Sequence, residues 1–197
     1  MPVKQNREYR TMSLVTPKAE GKRIDSDHYV EGYATTYSTP YCLCEIDGVK
    51  YMERVAPGAL VGADLSDVIV QFDHKGKVLA RKSNGTLYMD PNDAHGLFVA
   101  MDLSKSTEAR NAHEEIKNGL ITKMSWGFVV EKDSYDRATH TRTIEKIKKV
   151  YDVSFVALPA NEDTSICARS YVDGLIDVEN REAAERRKQI IRIICNT

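Results

Sequence analysis

The chain has 197 residues, 42% hydrophobic and 29% charged, with a formal net charge of −1. That suits one domain of ordinary size with an appendage, and the near-neutral balance argues against a nucleic-acid or membrane-surface partner. No stretch approaches the roughly 18 apolar residues of a membrane span. Met1 to Glu20 is polar with no apolar core of a secretory signal, so Cys42, Cys44, Cys167 and Cys195 are expected as reduced thiols in a cytoplasmic setting.

Residues 1–25 carry Lys4, Arg7, Arg10, Lys18, Lys22 and Arg23 with few apolar residues and no period, which reads as a flexible arm. Tyr29 to Tyr37 is an aromatic and β-branched strand. Tyr41–Ile46 and Val49–Val55 flank Asp47-Gly48, a strong hairpin signal. Val68 to Phe72 is a short buried-type strand, and Asn84-Gly85 is a turn between Val78–Arg81 and Thr86–Met89. Leu97, Val99, Met101 and Leu103 alternate with Phe98, Ala100 and Asp102, predicting a strand with one better-buried face.

One helix interrupts the strands. Ser106 or Thr107 can cap it, Ala109, Ala112 and Ile116 give its apolar stripe, and Asn118-Gly119 ends it. Ile121 to Val130 is again a strand, followed by a polar loop over Asp133–Thr139. Thr141 to Lys149 resumes a ragged alternation. Val150 to Leu158 is the last strong strand, stopped by Leu158-Pro159-Ala160-Asn161. Val178 to Ile194 reads as helix, and its terminal isoleucines are apolar enough to be expected docked on the body or on another subunit. The division is an arm over 1–25, a β-rich body over 26–168 and a helical tail over 169–197.

Strand parity sorts the chemistry-bearing residues. In Ile121–Val130, Ser125 and Gly127 fall on one face, with Met124, Trp126, Phe128 and Val130 on the other, bulkier one. His74 shares parity with Val70 and Phe72 if the strand runs on regularly. Asp152 and Ser154 share a face opposite Val153, Phe155 and Ala157. A serine hydroxyl needs a nearby base to become a nucleophile, and histidine suits that role near neutral pH. Taken singly, each has a plainer reading: a small strand serine, a turn histidine before Lys75-Gly76, and a carboxylate partnering Lys146, Lys148 or Lys149. A metal site built on Cys42/Cys44, His95 or His113 ranks last, because His113-Glu114-Glu115 lacks the second histidine of HExxH and no CxxC pair is present.

Several segments in one order then give a resemblance. Val30-Glu31-Gly32-Tyr33-Ala34 looks like an opening strand, and Glu53-Arg54-Val55-Ala56-Pro57-Gly58-Ala59-Leu60 like an E-x-x-x-P-G-A-[FL] segment. Val68 to His74 looks like an apolar strand leading to a histidine, and Gly85-Thr86-Leu87 and His95-Gly96-Leu97 like two further turns. Lys123-Met124-Ser125-Trp126-Gly127-Phe128 looks like an "MS-aromatic-GF" strand, and Asp152-Val153-Ser154-Phe155-Val156 with Pro159-Ala160-Asn161 like a closing segment. Over residues 28–166 the chain resembles the tailed-phage prohead maturation serine proteases, whose fold is similar to the herpesvirus capsid-maturation protease, assemblin.

The resemblance implies a mainly β fold with peripheral helices (α+β): a closed, largely antiparallel barrel of the herpesvirus-protease type. It implies Ser125 as nucleophile and His74 as general base, with no cofactor and no metal. The family often has Asn-His-Asp where this chain has Asp73-His74-Lys75, and phenylalanine where it has Trp126. The resemblance implies Asp152 as the orienting acid, since it stands where the family has its carboxylate, with Asp73 as runner-up and His140 a weaker option. The implied substrates are the major capsid protein and scaffold segments inside an immature head, and the protease itself. Residues 1–25 and 170–197 are candidates for self-removal or for docking on the shell. The implied setting is the assembling prohead in the host cytoplasm, with a homo-oligomer expected and neither nucleic acid nor membrane as partner. The reading from another class is a non-catalytic assembly or scaffold module of the same fold.

Overall fold

The computed structural model describes residues 7–13, 21–157 and 162–195. Local signals and local structure agree closely in the first half of the body. Strands β3 (Tyr41–Ile46) and β4 (Val49–Val55) are joined by Asp47 and Gly48, both at positive φ, as a two-residue hairpin turn requires. Helix α1 (Thr107–Lys117) starts where the Ser106 hydroxyl accepts the Ala109 N–H at 3.1 Å. Past it, Gly119 takes the left-handed conformation that closes helices, and Ala109 and Ala112 are buried.

Two sheets enclose one core. The smaller contains β2 (Tyr29–Thr36), β8 (Gly96–Asp102) and β7 (Leu87–Asp90) in the order β2-β8-β7. The larger has seven strands, with β1 (Glu8–Ser13), β9 (Lys123–Asp136), β10 (Thr141–Val156), β4 and β3 in that order. Strands β5 (Ile69–Phe72) and β6 (Lys75–Arg81) branch from β10. The Asn84-Gly85 turn is where the chain leaves the larger sheet after β6 and enters the smaller at β7. Leu97 and Met101 from β8 share the core with Trp126 and Phe128 from β9, where the last two rings stack with centroids 4.0 Å apart. Burying each such side chain contributes about 1.5–3 kcal/mol.

The expected closed barrel is not what forms. Strand β10 pairs along one edge with β9 and along the other with two parallel strands in succession, β4 at Thr141–Ile144 and β5 at Asp152–Phe155. Four register irregularities in the β9–β10 ladder let β10 serve both partners. The end strands of the path, β1 and β3, do not pair with each other. Helix α2 (Glu162–Cys195) packs against both, so a helix occupies the place a closing ladder would need. The fold is α+β with two open sheets.

Other expectations also shift. The polar loop expected at Asp133–Thr139 is mostly strand, because β9 and β10 run on as a long, partly exposed hairpin. Strand β8 is buried on both faces, since Tyr33 and Tyr88 cover Phe98 on the side away from the core. The expected stop at Leu158-Pro159-Ala160-Asn161 lies outside the described residues, as do 1–6 and 14–20 of the arm. Ile190 and Ile191 are 56% and 59% exposed, so they do not dock on the body.

Within the expected arm, Glu8–Ser13 forms β1, antiparallel to β9. A buried ionic network holds it there. The fully buried Glu53 carboxylate accepts from Arg10 Nε at 2.5 Å and Nη2 at 2.9 Å, from Arg142 Nη1 at 2.8 Å and from the Tyr41 hydroxyl at 2.5 Å. Arg142 reaches on to Glu8 at 2.7 Å and Asp133 at 2.5 Å. Burial alone would raise the Glu53 pKa. The two guanidinium groups and the tyrosine outweigh it and hold the carboxyl at about 2.

Candidate active site

Cross-strand register decides which side chains share a face. Ser125 on β9 lies opposite Thr11 on β1 and Ser154 on β10, and Gly127 lies opposite Tyr9 and Asp152. Directly paired residues project to the same side of a sheet. Ser125, Asp152, Ser154, Tyr9 and Thr11 therefore occupy the face away from Met124, Trp126 and Phe128, as parity predicted for Ser125 and Asp152. Ser125 and Asp152 are each 1% exposed.

Parity fails for His74, for an instructive reason. Phe72 pairs with Lys75, leaving Asp73 and His74 as a two-residue turn between β5 and β6, at φ 46° and 57°. Positive φ at both positions defines a tight hairpin turn that costs about 1–3 kcal/mol per non-glycine residue unless its surroundings hold it. They do: the Asp73 N–H donates to Phe155 O at 2.8 Å, and Asp73 Oδ1 accepts the Ala157 N–H at 3.2 Å. The plain reading of His74 as a turn residue is correct, and the turn is what delivers the imidazole across the sheet.

There His74 Nε2 lies 2.6 Å from Ser125 Oγ, and His74 Nδ1 is hydrogen-bonded to Asp152 Oδ2. Asp152 Oδ2 also accepts from Ser154 Oγ at 2.9 Å. Hydroxyl, imidazole and carboxylate stand in one hydrogen-bonded line, the arrangement that lets an imidazole withdraw a hydroxyl proton while a carboxylate fixes its tautomer. Asp73 is turned toward the Ala157 backbone, away from this line. His140 is elsewhere, at the tip of the β9–β10 hairpin, with Nδ1 3.0 Å from the Tyr135 hydroxyl and its ring beside Tyr51. His95 packs on Tyr33 and His113 on His28, while Cys42 and Cys44 lie on β3. Among the described residues no three His, Cys, Asp or Glu side chains converge as a metal site would need.

Two contacts come from the segment that sequence reading treated as an arm. The Tyr9 ring packs on the His74 ring with centroids 4.3 Å apart, and Arg7 Nη2 lies 3.0 Å from Asp152 Oδ1. Neither position carries an apolar period that could have signalled a strand. Gly127 has a visible signal: its missing side chain is the space these groups fill. A Cβ there would stand 2.5 Å from Asp152 Oδ1 and 2.9 Å from Tyr9 Cε1. Gly127→Ala is therefore expected to displace the carboxylate and slow any acyl transfer begun by the Ser125 hydroxyl on the order of 100-fold, with about 1–3 kcal/mol lost from stability. Rates at parental level in a variant of unchanged stability would show that this space is not needed.

Comparison with known proteins gives the chain's family. The prohead protease of Enterobacteria phage HK97 is 30% identical over 157 residues, a match covering 76% of this chain and 65% of that relative. The chain thus spans slightly less than two thirds of the relative's length. No solved structure matches at a significant level. The profile of caudovirus prohead serine proteases matches residues 14–174, a range that holds Ser125, His74 and Asp152 but begins after β1. By that match over most of its length, the chain belongs to the caudovirus prohead serine protease family.

Proposed function

We propose that this protein is a serine endopeptidase of prohead maturation, cutting capsid and scaffold segments inside the immature head and also itself. The observation that carries the reading is the 2.6 Å approach of His74 Nε2 to Ser125 Oγ, with the opposite ring nitrogen bound to the buried Asp152. Ser125 attacks the scissile carbonyl as its proton passes to His74 Nε2. The imidazolium then gives that proton to the leaving amine, and a water repeats the sequence to release the acyl group. Asp152 holds Nδ1 protonated and balances the transient charge, while the Ser154 hydroxyl steadies the carboxylate. The name of the phage HK97 relative and the family membership support the prohead as the setting. Among the described residues no helix is long and apolar enough to cross a membrane.

The exposed Ile190 and Ile191 favour a second reading, a self-associating assembly module without catalysis. A fluorophosphonate probe separates the two. The endopeptidase is expected to take up about one equivalent, located on Ser125 by mass spectrometry, because an activated serine attacks phosphorus as it does a carbonyl. A folded protein that stays unlabelled would favour the assembly module.

A further inference from the structure

The N-terminal strand enters the site with two side chains that the hydroxyl–imidazole–carboxylate line does not itself require. Arg7 approaches Asp152 Oδ1 at 3.0 Å, yet that oxygen is buried and accepts no aligned hydrogen bond. The guanidinium is thus the charge that compensates it. Arg7 is itself seated, with its guanidinium carbon 4.2 Å from the centroid of the Tyr151 ring and 5.6 Å from that of Tyr9. Two residues on, the Tyr9 ring lies against the imidazole, over the gap left by Gly127. On the other face of the strand, Arg10 is locked into the Glu53 network. The strand is therefore anchored by one face and applied to the site by the other.

We infer that Arg7 and Tyr9 are positioning residues of the endopeptidase, Arg7 setting the carboxylate of Asp152 and Tyr9 the ring plane of His74, so that the N-terminal strand is a working part of the site. The inference rests on the hydrolase reading above. Each residue acts through another: Tyr9 bars the imidazole from tilting off the Ser125–Asp152 line, and Arg7 prevents the carboxylate from rotating Oδ1 toward His74. A small misplacement of a reacting group slows chemistry without weakening substrate binding, so the effect belongs in kcat.

The test uses full-length Tyr9→Ala, Tyr9→Phe, Arg7→Gln and Arg7→Lys. It measures cleavage of a shell-protein peptide, fluorophosphonate labelling of Ser125, and the low-field proton resonance of the His74 Nδ1–H bond. Tyr9→Ala and Arg7→Gln are expected to lower kcat and labelling rate roughly 10- to 100-fold, with KM within about twofold. Both should shift or broaden the low-field resonance. Tyr9→Phe, which keeps the ring, should stay within about twofold, and Arg7→Lys should recover part of the loss. If Tyr9→Ala does not fold, Arg7→Gln decides, since that side chain is 37% exposed. Folded variants with unchanged kcat and an unmoved resonance would overturn the inference. Undiminished cleavage by Ser125→Ala would instead overturn the hydrolase reading, while unlabelled parental protein would sink both.

Discussion

On the proposed reading, replacing Ser125 by alanine is expected to leave a folded protein that cuts neither shell protein nor itself. The substitution removes the hydroxyl that lies 2.6 Å from His74 Nε2 and leaves the strand pairing of β9 intact. Its structural cost is a single hydrogen bond to a part-buried imidazole, about 1 kcal/mol. Its chemical cost is the nucleophile, and loss of such a group lowers turnover by roughly 10⁴-fold or more. Co-expression with the cognate shell protein, followed by mass spectrometry of the fragments, gives the measurement. The parental chain should yield discrete cuts in the shell protein and in its own sequence, and Ser125→Ala should yield intact chains. Parental-level processing by a folded Ser125→Ala would remove this serine from the chemistry.

Glu53→Gln carries the largest expected effect on stability. The Glu53 carboxylate is the common acceptor for Arg10, Arg142 and Tyr41, joining β1, β3, β4 and β10. An amide turns one acceptor into a donor facing donors and leaves two buried guanidinium groups short of a counter-charge. Breaking a buried pair in that way costs about 3–5 kcal/mol, a large share of the usual 5–15 kcal/mol.

The pH dependence has a defined sign. Glu53 sits at about 2 in the folded protein against an ordinary value of 4.5, so the unfolded chain takes up the proton first as pH falls. Its stabilisation is complete above the ordinary value and drains away as pH drops toward 2, by roughly 3 kcal/mol in all. Denaturant titrations should show a constant gap between parental protein and Glu53→Gln from about pH 7 to pH 5, narrowing below that. A gap independent of pH throughout would show that the Glu53 charge is not what anchors β1.

How much of this was legible depended on whether the relevant forces are local. The Asp47-Gly48 hairpin and the Ser106-capped helix were readable because a turn conformation and a cap depend on the residues that form them. Parity placed Ser125 and Asp152 correctly because period-2 alternation survives along both strands. It misled for His74, where two residues at positive φ break the alternation that the argument assumed. The resemblance supplied the histidine all the same, because it compared residues in order without needing their direction. Strand β1 was invisible for a different reason: its inward face presents Glu8 and Arg10 where an ordinary strand presents valine or leucine, and their partners on other strands, Glu53 and Arg142, are 43 or more positions away. Sheet closure was beyond local reading too, since it turns on whether β1 meets β3 or α2.

The turn that carries His74 has no spare residue between Phe72 and Lys75, while hydroxyl and carboxylate ride on neighbouring strands at a spacing the backbone ladder dictates. Turn and ladder form as the chain folds, so on this build folding and arming become one event. On the proposed reading, a protease of this build is competent as soon as it exists. The timing of head maturation would then be governed from outside, by when scissile segments are brought within its reach.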